Sequence, residues 1–196
     1  MKETLQHSSM ENKCLFIHIP KTGGTSIIDA LNPYVLAYGS QSIAPNSEFL
    51  LSLKFRFSFV RNPYNRYAST VLNLEFTDED TFEQFTKTTF NNDYKRKFKE
   101  WDYDWMPLIP QHQYLYFDNK LEVDYIGKFE NIEQDFKDVL RRLEIDNHLG
   151  IPIRLKHLNE SVYENNYDKF YTPELREIIN EAYKDDFLAF GYDMVK

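Results

Sequence analysis

Apolar residues along this chain fall into short unbroken runs and helically spaced stripes. Cys14-Leu15-Phe16-Ile17-His18-Ile19 is a run of the first kind and predicts a buried strand, ended by Pro20 and the Gly23-Gly24 pair. Thr25 to Leu31 follows with helix-start chemistry and apolar positions that can pack on a sheet. Tyr34 to Tyr38 predicts a second strand. Phe55 to Val60 predicts a third, its aromatics alternating with Arg56 and Ser58. Asn62-Pro63 then reads as an N-cap followed by proline at the first helical position, opening a helix through about Asn73.

Asp78 to Phe90 predicts another helix, acidic at its start as the helix dipole favours. Trp101 to Pro110 reads as irregular, punctuated by Pro107 and Pro110. Tyr114 to Phe117 and Val123 to Gly127 predict short strands on either side of an Asp118-Asn119 turn. Between Asn131 and Leu143, Ile132, Phe136, Val139, Leu140 and Leu143 fall on one helical face. Thr172-Pro173 caps a final helix that turns Leu175, Ile178, Ile179 and Ala182 inward. Strands separated by helices predict an α/β fold with a central, mainly parallel sheet flanked by helices. A single domain over residues 13–196 is expected behind a loose N-terminal leader, residues 1–12. In such sheets the ligand sits beyond the carboxyl ends of the strands.

Composition sharpens this. The 196 residues are 42% hydrophobic and 16% aromatic, enough to bury a core despite a mean hydropathy of −0.60. Acids outnumber bases 31 to 23, a formal charge of −8, which disfavours a general nucleic-acid partner. Any anionic ligand must be held locally, and two acid-free windows offer the place: residues 12–28, and residues 49–74 with Lys54, Arg56, Arg61 and Arg66. The one cysteine, Cys14, cannot form an internal disulfide, and no Cys/His spacing resembles a metal site. A cytoplasmic setting is expected. Met1 to Asn12 is polar, and no run approaches the ~20 apolar residues of a membrane span, so no membrane insertion is expected.

Candidate chemistry lies in those windows, each at a strand-to-helix junction. In Lys21-Thr22-Gly23-Gly24-Thr25-Ser26, the N–H groups of a glycine turn entering a helix form an anion cradle, Lys21 adds a charge, and Thr22, Thr25 and Ser26 add hydroxyls. The order is not that of a Walker A loop, because Lys21 precedes the glycines. In the second segment Arg61 ends a strand, and Asn62, Arg66 and Ser69 share a side of the helix that follows, suiting a second phosphate. An exposed lysine turn and a solvated arginine pair are the plain alternatives.

Together these residues resemble the carbohydrate-type sulfotransferases that use 3′-phosphoadenosine 5′-phosphosulfate (PAPS). Lys21 to Ser26 is similar to the family's 5′-phosphosulfate loop, and Arg61-Asn62-Pro63-Tyr64 through Ser69 to its 3′-phosphate motif. Weaker pieces continue the likeness: Pro110-Gln111 with Tyr114-Leu115, Asp124 to Asn131, His157 to Ser161, and Tyr171 to Tyr192. The resemblance implies a P-loop-NTPase-like fold. It also implies sulfuryl transfer to a hydroxyl or amine of a carbohydrate or small acceptor, with PAP as product and no metal required. By the same likeness, Lys21 neutralises the leaving phosphate, Thr22 to Ser26 hold the 5′-phosphate, and Arg61 and Ser69 hold the 3′-phosphate.

The general base departs from the family's pattern. Ser40, in Tyr38-Gly39-Ser40-Gln41-Ser42, stands where many relatives carry a histidine, and serine cannot serve at neutral pH without a base of its own. His112, Glu48 and Glu100 are the candidate substitutes. His112 also reads as an ordinary loop histidine, His18 as a core residue, and Phe129-Glu130-Asn131 as a helix cap with a packed aromatic. Trp101, Tyr103 and Trp105 read as core or as an acceptor-stacking cluster. A PAPS- or PAP-binding protein without efficient catalysis, and a nucleotide kinase, are the competing functions.

Overall fold

The computed structural model describes residues 14–32, 36–38, 55–74, 78–91, 93–100, 103–144, 155 and 167–195. Its strands are β1 (Cys14–Ile17), β2 (Leu36–Tyr38), β3 (Phe55–Val60), β4 (Tyr116–Phe117), β5 (Lys120–Leu121) and β6 (Tyr125–Lys128). Four of them form a parallel sheet in the order β2-β1-β3-β6. Ile17 lies opposite Ser58, and Val60 opposite Lys128, so the central strands end near one another.

Alternation along the strands sends side chains to opposite faces. Phe16, Phe57 and Phe59 pack against Ile27 and Leu31 of α1 (Gly24–Leu31) and against Phe136, Val139 and Leu140 of α6 (Ile132–Arg142). Leu15, Ile17 and Val60 face a larger core built by α2 (Pro63–Asn73), α3 (Glu79–Thr89), α4 (Tyr94–Glu100), α7 (Pro173–Ala182) and α8 (Lys184–Phe190). Much of the chain's aromatic content sits there. Tyr67 meets Phe82 edge-on with centroids 5.8 Å apart, and Phe90 meets Tyr183 at 5.9 Å. The result is a three-layer α/β domain.

Several expectations hold to within a residue or two, because local chemistry sets them. Asn62 caps α2 by accepting from the N–H of Tyr64 at 3.0 Å, with Pro63 next. Asp78 accepts from Thr81 N–H at 2.8 Å and starts α3, so the acidic run is a helix start. Thr172 caps α7.

Elsewhere the structure departs. The strand expected at Tyr114 begins only at Tyr116, because residues before it form a short helix, α5 (His112–Leu115), whose first N–H groups are taken by Asp186. β4 and β5 are a hairpin closed by Asp118 and Asn119, both left-handed at φ 46° and 61° as a tight two-residue turn requires. β6 starts at Tyr125 rather than Val123. Before it, the Asp124 carboxylate accepts from the N–H of Arg56 while Asp124 N–H donates to the Arg56 carbonyl, both at 2.8 Å. α4 was not expected: two aromatics, Tyr94 and Phe98, anchor an otherwise charged segment, and Arg96 pairs with Asp93 and Glu100. Tyr103–Leu108, expected to be irregular, forms a 3-10 helix, and Trp105 packs edge-on to Phe98 at 6.0 Å. A further helix, α8, follows α7 and ends at Gly191, left-handed at φ 65°.

The leader, Tyr34, Val35, Ser40, Glu48, Trp101, His157 and Asn159 lie outside the described residues. Among the described residues no helix is long and apolar enough to cross a membrane, and no group of acids, histidines and cysteine could hold a metal ion.

Candidate active site

The neighbours of β1 are β2 on one side and β3 on the other, so the strand order reverses there, and in such sheets ligands bind beyond the carboxyl ends of the strands at that point. Residues 18–23 and 61–62 leave those strand ends. The fold therefore brings the two candidate segments side by side.

Contacts tie them. Arg61 Nη1 donates to the carbonyl of Lys21 at 3.3 Å, and Arg66 Nε to that of Pro20 at 3.0 Å. Left-handed backbone at Lys21 (φ 69°) and Gly23 (φ 82°) is the kind of turn in which N–H groups gather around an anion. Lysine at such an angle carries strain that glycine would not. Each glycine has a distinct reason. A Cβ at Gly23 would come within 2.7 Å of Ile132 Cδ1 and 3.1 Å of the Phe129 ring, and one at Gly24 would overlap the His18 imidazole. His18 itself is half-buried and stacks near Phe16, its pKa lowered by burial.

α1 starts at Gly24 with no side-chain cap and no acid in its first turn. Its first N–H groups have no helical carbonyl to reach, leaving the positive end of the dipole uncompensated. Thr25 is exposed at that end and Ser26 is buried behind it. Thr22 differs from expectation: its hydroxyl is wholly buried and donates to the Ile19 carbonyl at 2.8 Å, bracing the loop, so its backbone N–H is what remains for a ligand.

Arg61 is 6% exposed, with its guanidinium 4.2 Å above the Phe129 ring and 5.5 Å from that of Tyr167. Its bond to Tyr167 is long, 3.4 Å, and its Nε is buried without a partner. Arg66, 2% exposed, donates to Pro20 and Ile109 and keeps Nη2 unpartnered. Neither forms an ion pair with a carboxylate among the described residues. Burying such charges unpaired costs several kcal/mol, a cost a bound anion would offset. Ser69 is buried one helical turn beyond Arg66. The Lys21 ammonium is held below its usual range by burial and then by the positive charge of Arg61.

His112 is not a free loop histidine. Its Nδ1 lies 2.7 Å from Asp186 and its Nε2 3.8 Å from Asp185, so both ring nitrogens face carboxylates of α8. Glu100 is exposed and paired with Arg96. Phe129-Glu130-Asn131 has a structural part: Glu130 accepts from the N–H of Asn62 at 2.7 Å and from the Tyr192 hydroxyl at 2.8 Å, pinning the N-terminus of α2.

The sequence places Arg66 beside a second phosphate and gives Phe129 only a structural part, but assigns no site role to Tyr167 or Asp186. Phe129 and Arg66 stand inside the motif pieces. Asp186 lies within the weak C-terminal piece, Tyr171 to Tyr192, whereas Tyr167 stands outside every piece and arrives only through folding.

The family model described as Sulfotransferase family matches residues 8–193. The chain is 27% identical to carbohydrate sulfotransferase 12 of Mus musculus over 73 residues, which is 37% of this chain and 17% of the mouse protein. It is 28% identical over 116 residues to an uncharacterised protein of Archaeoglobus fulgidus, covering 58% of this chain and 82% of that one. The chain thus spans only about a sixth of the mouse protein. No solved structure matches.

Proposed function

The chain belongs to the sulfotransferase family, and from that premise we propose that it carries a sulfuryl group from PAPS to a hydroxyl or amine of a carbohydrate or small-molecule acceptor, in a cytoplasmic setting. One observation carries the proposal. Arg61, buried with an unpartnered Nε and no carboxylate paired with it among the described residues, sits against the carbonyl of Lys21, so both loops converge on one unneutralised positive site. The residues fit a nucleotide with anionic groups at two ends: a buried guanidinium calls for one, and an uncapped helix N-terminus for another.

When bound, PAPS supplies the sulfuryl group and the phosphate that leaves. Under the proposal, Lys21 holds positive charge where negative charge grows on that leaving phosphate, and being already present and partly desolvated it needs little reorganisation. The backbone N–H groups of Thr22, Gly23, Gly24 and Thr25, with Ser26, hold the 5′-phosphate. Arg61 and Ser69 bind the 3′-phosphate, which ATP lacks. No part is assigned to a metal ion. A carbohydrate acceptor is supported by the likeness to the mouse carbohydrate sulfotransferase.

A second reading, PAP or PAPS binding without efficient transfer, is favoured by the engagement of both His112 ring nitrogens with α8. Titration calorimetry with PAP, AMP and ATP-Mg²⁺, followed by transfer of radiolabelled sulfate to a panel of sugars, separates the readings. PAP is expected to bind most tightly, and Arg61→Ala to weaken it about 10- to 100-fold, the worth of hydrogen bonds to a charged group. Binding of ATP-Mg²⁺ but not PAP would overturn the proposal. PAP binding with no transfer to any acceptor would favour the second reading.

A further inference from the structure

We infer that Gln111 is a positioning residue for the anion site, its carboxamide setting the backbone of Arg61 and so the direction of the guanidinium. The inference rests on the proposed 3′-phosphate role of Arg61.

Arg61 lies one residue beyond the last paired position of β3, where Val60 faces Lys128. Its N–H and C=O therefore have no strand to bond. Gln111 takes the place of one: its Oε1 accepts from Arg61 N–H and its Nε2 donates to the Arg61 carbonyl, both at 2.8 Å. The carboxamide is wholly buried and matches donor to acceptor in both directions. A side chain with only one of these functions could not hold a peptide unit in this way.

Such a clamp positions Arg61 only if it is itself fixed, and it is fixed from two sides. On one, the backbone N–H of Gln111 donates to Asp186 at 2.7 Å, and that fully buried carboxylate also accepts from His112 N–H at 2.8 Å and faces His112 Nδ1. On the other, four successive carbonyls before it are held by side chains. Tyr114 donates to Met106, Thr70 to Pro107, Tyr183 to Leu108 and Arg66 to Ile109. The guanidinium of Arg61, by contrast, has only bonds of 3.3 and 3.4 Å and an unpartnered Nε. Arg61 is thus rigid in its backbone and under-committed at its charged end, the arrangement expected of a group waiting for an anion.

The test uses the ratio of PAP to AMP affinity, which isolates the 3′-phosphate. In the wild-type protein PAP is expected to bind at least tenfold more tightly than AMP. Equal affinities there would refute the 3′-phosphate assignment itself. Given that preference, Gln111→Met, of similar size but unable to clamp, is expected to cut the ratio at least fivefold, and to do so far less in an Arg61→Ala background, since coupled residues are non-additive. A merely structural role would weaken PAP and AMP alike and leave the ratio unchanged, which overturns the inference. Gln111→Glu keeps the acceptor for Arg61 N–H but sets an oxygen against the Arg61 carbonyl, and is expected to behave as Gln111→Met does. Should either variant fail to fold, the wild-type protein decides. PAP, but not AMP, is expected to shift the NMR resonances of the Gln111 side-chain amide, and identical shifts with both would count against the clamp.

Discussion

Lys21 is asked to do two unfavourable things, to sit in left-handed backbone at φ 69° and to keep an ammonium partly buried beside Arg61. Both costs make sense at a site where charge is wanted before a ligand arrives. Burial, and then the charge of Arg61, lower its pKa. Below that lowered value the ammonium is charged in the folded and unfolded chain alike, and the folded state bears the full cost. As pH rises through it, the folded chain gives up its proton first, and stability climbs until the ordinary lysine value is reached. The negative charge of a bound anion opposes both influences and raises the pKa, so binding takes up protons in the same window. PAP phosphates are fully ionised there, since their second pKa is about 6. The affinity for PAP is therefore expected to fall as pH rises toward the ordinary lysine value, by up to about tenfold per unit, and Lys21→Arg is expected to flatten the profile. Calorimetry across that range checks it, and an arginine variant with the same slope would assign the titration to another group.

At the scale of elements, α2 matters because its first turn follows Arg61 directly, and Asn62 joins three things there. It caps the helix through Tyr64, precedes Pro63, and offers its own N–H to Glu130. Asn62→Ala is expected to cost about 1 kcal/mol of stability, the usual worth of a cap. Asn62→Asp keeps the cap and adds a carboxylate beside Glu130 at the mouth of the anion site, so urea denaturation should find stability nearly unchanged while PAP binds several-fold more weakly. Loss of stability without loss of affinity in the aspartate variant would place the side chain away from the ligand. The Asn-Pro signal shows why so much of this fold was legible: caps, glycine turns and strand runs act over a few residues, and β1, β3, α2, α3, α6 and α7 follow from them. Contacts between distant segments do not. Gln111 and Asp186 are 75 positions apart, so neither the helix at His112 nor the clamp on Arg61 could be read from the residues around them. The Gly23-Gly24 pair was legible as a turn but not in its reasons, because the rings that demand glycine meet it only once the chain folds: His18 from the start of the same loop and Phe129 from the segment that follows β6. Thr22 was read as a ligand hydroxyl for the same cause, since its carbonyl partner is defined only once the loop closes.

For the whole molecule the charge is −8, yet Lys21, Arg61 and Arg66 converge where no described carboxylate pairs with them. Acids lie instead on the outer helices: Glu79, Asp80 and Glu83 on α3, Glu133 and Asp138 on α6, and the exposed Asp185 on α8. An approaching ligand thus meets a negative surface at long range and the positive charges of Lys21, Arg61 and Arg66 only at contact. A compact nucleotide needs little more than those charges, whereas a long sulfated chain would have to run its remaining charges along acidic helices. Screening acts over about 8–10 Å at physiological ionic strength, so the repulsion on such a chain is felt at the site's rim but weakens with salt. The proposed sulfotransferase is therefore expected to prefer a desulfated oligosaccharide over its sulfated counterpart, by roughly tenfold in kcat/KM at low salt, with the gap narrowing as salt is added. Competition kinetics with matched pairs of oligosaccharides at two ionic strengths checks this. A sulfated acceptor preferred at low salt would mean that the acceptor path is lined by bases beyond the described residues, and that net charge does not steer the choice of substrate.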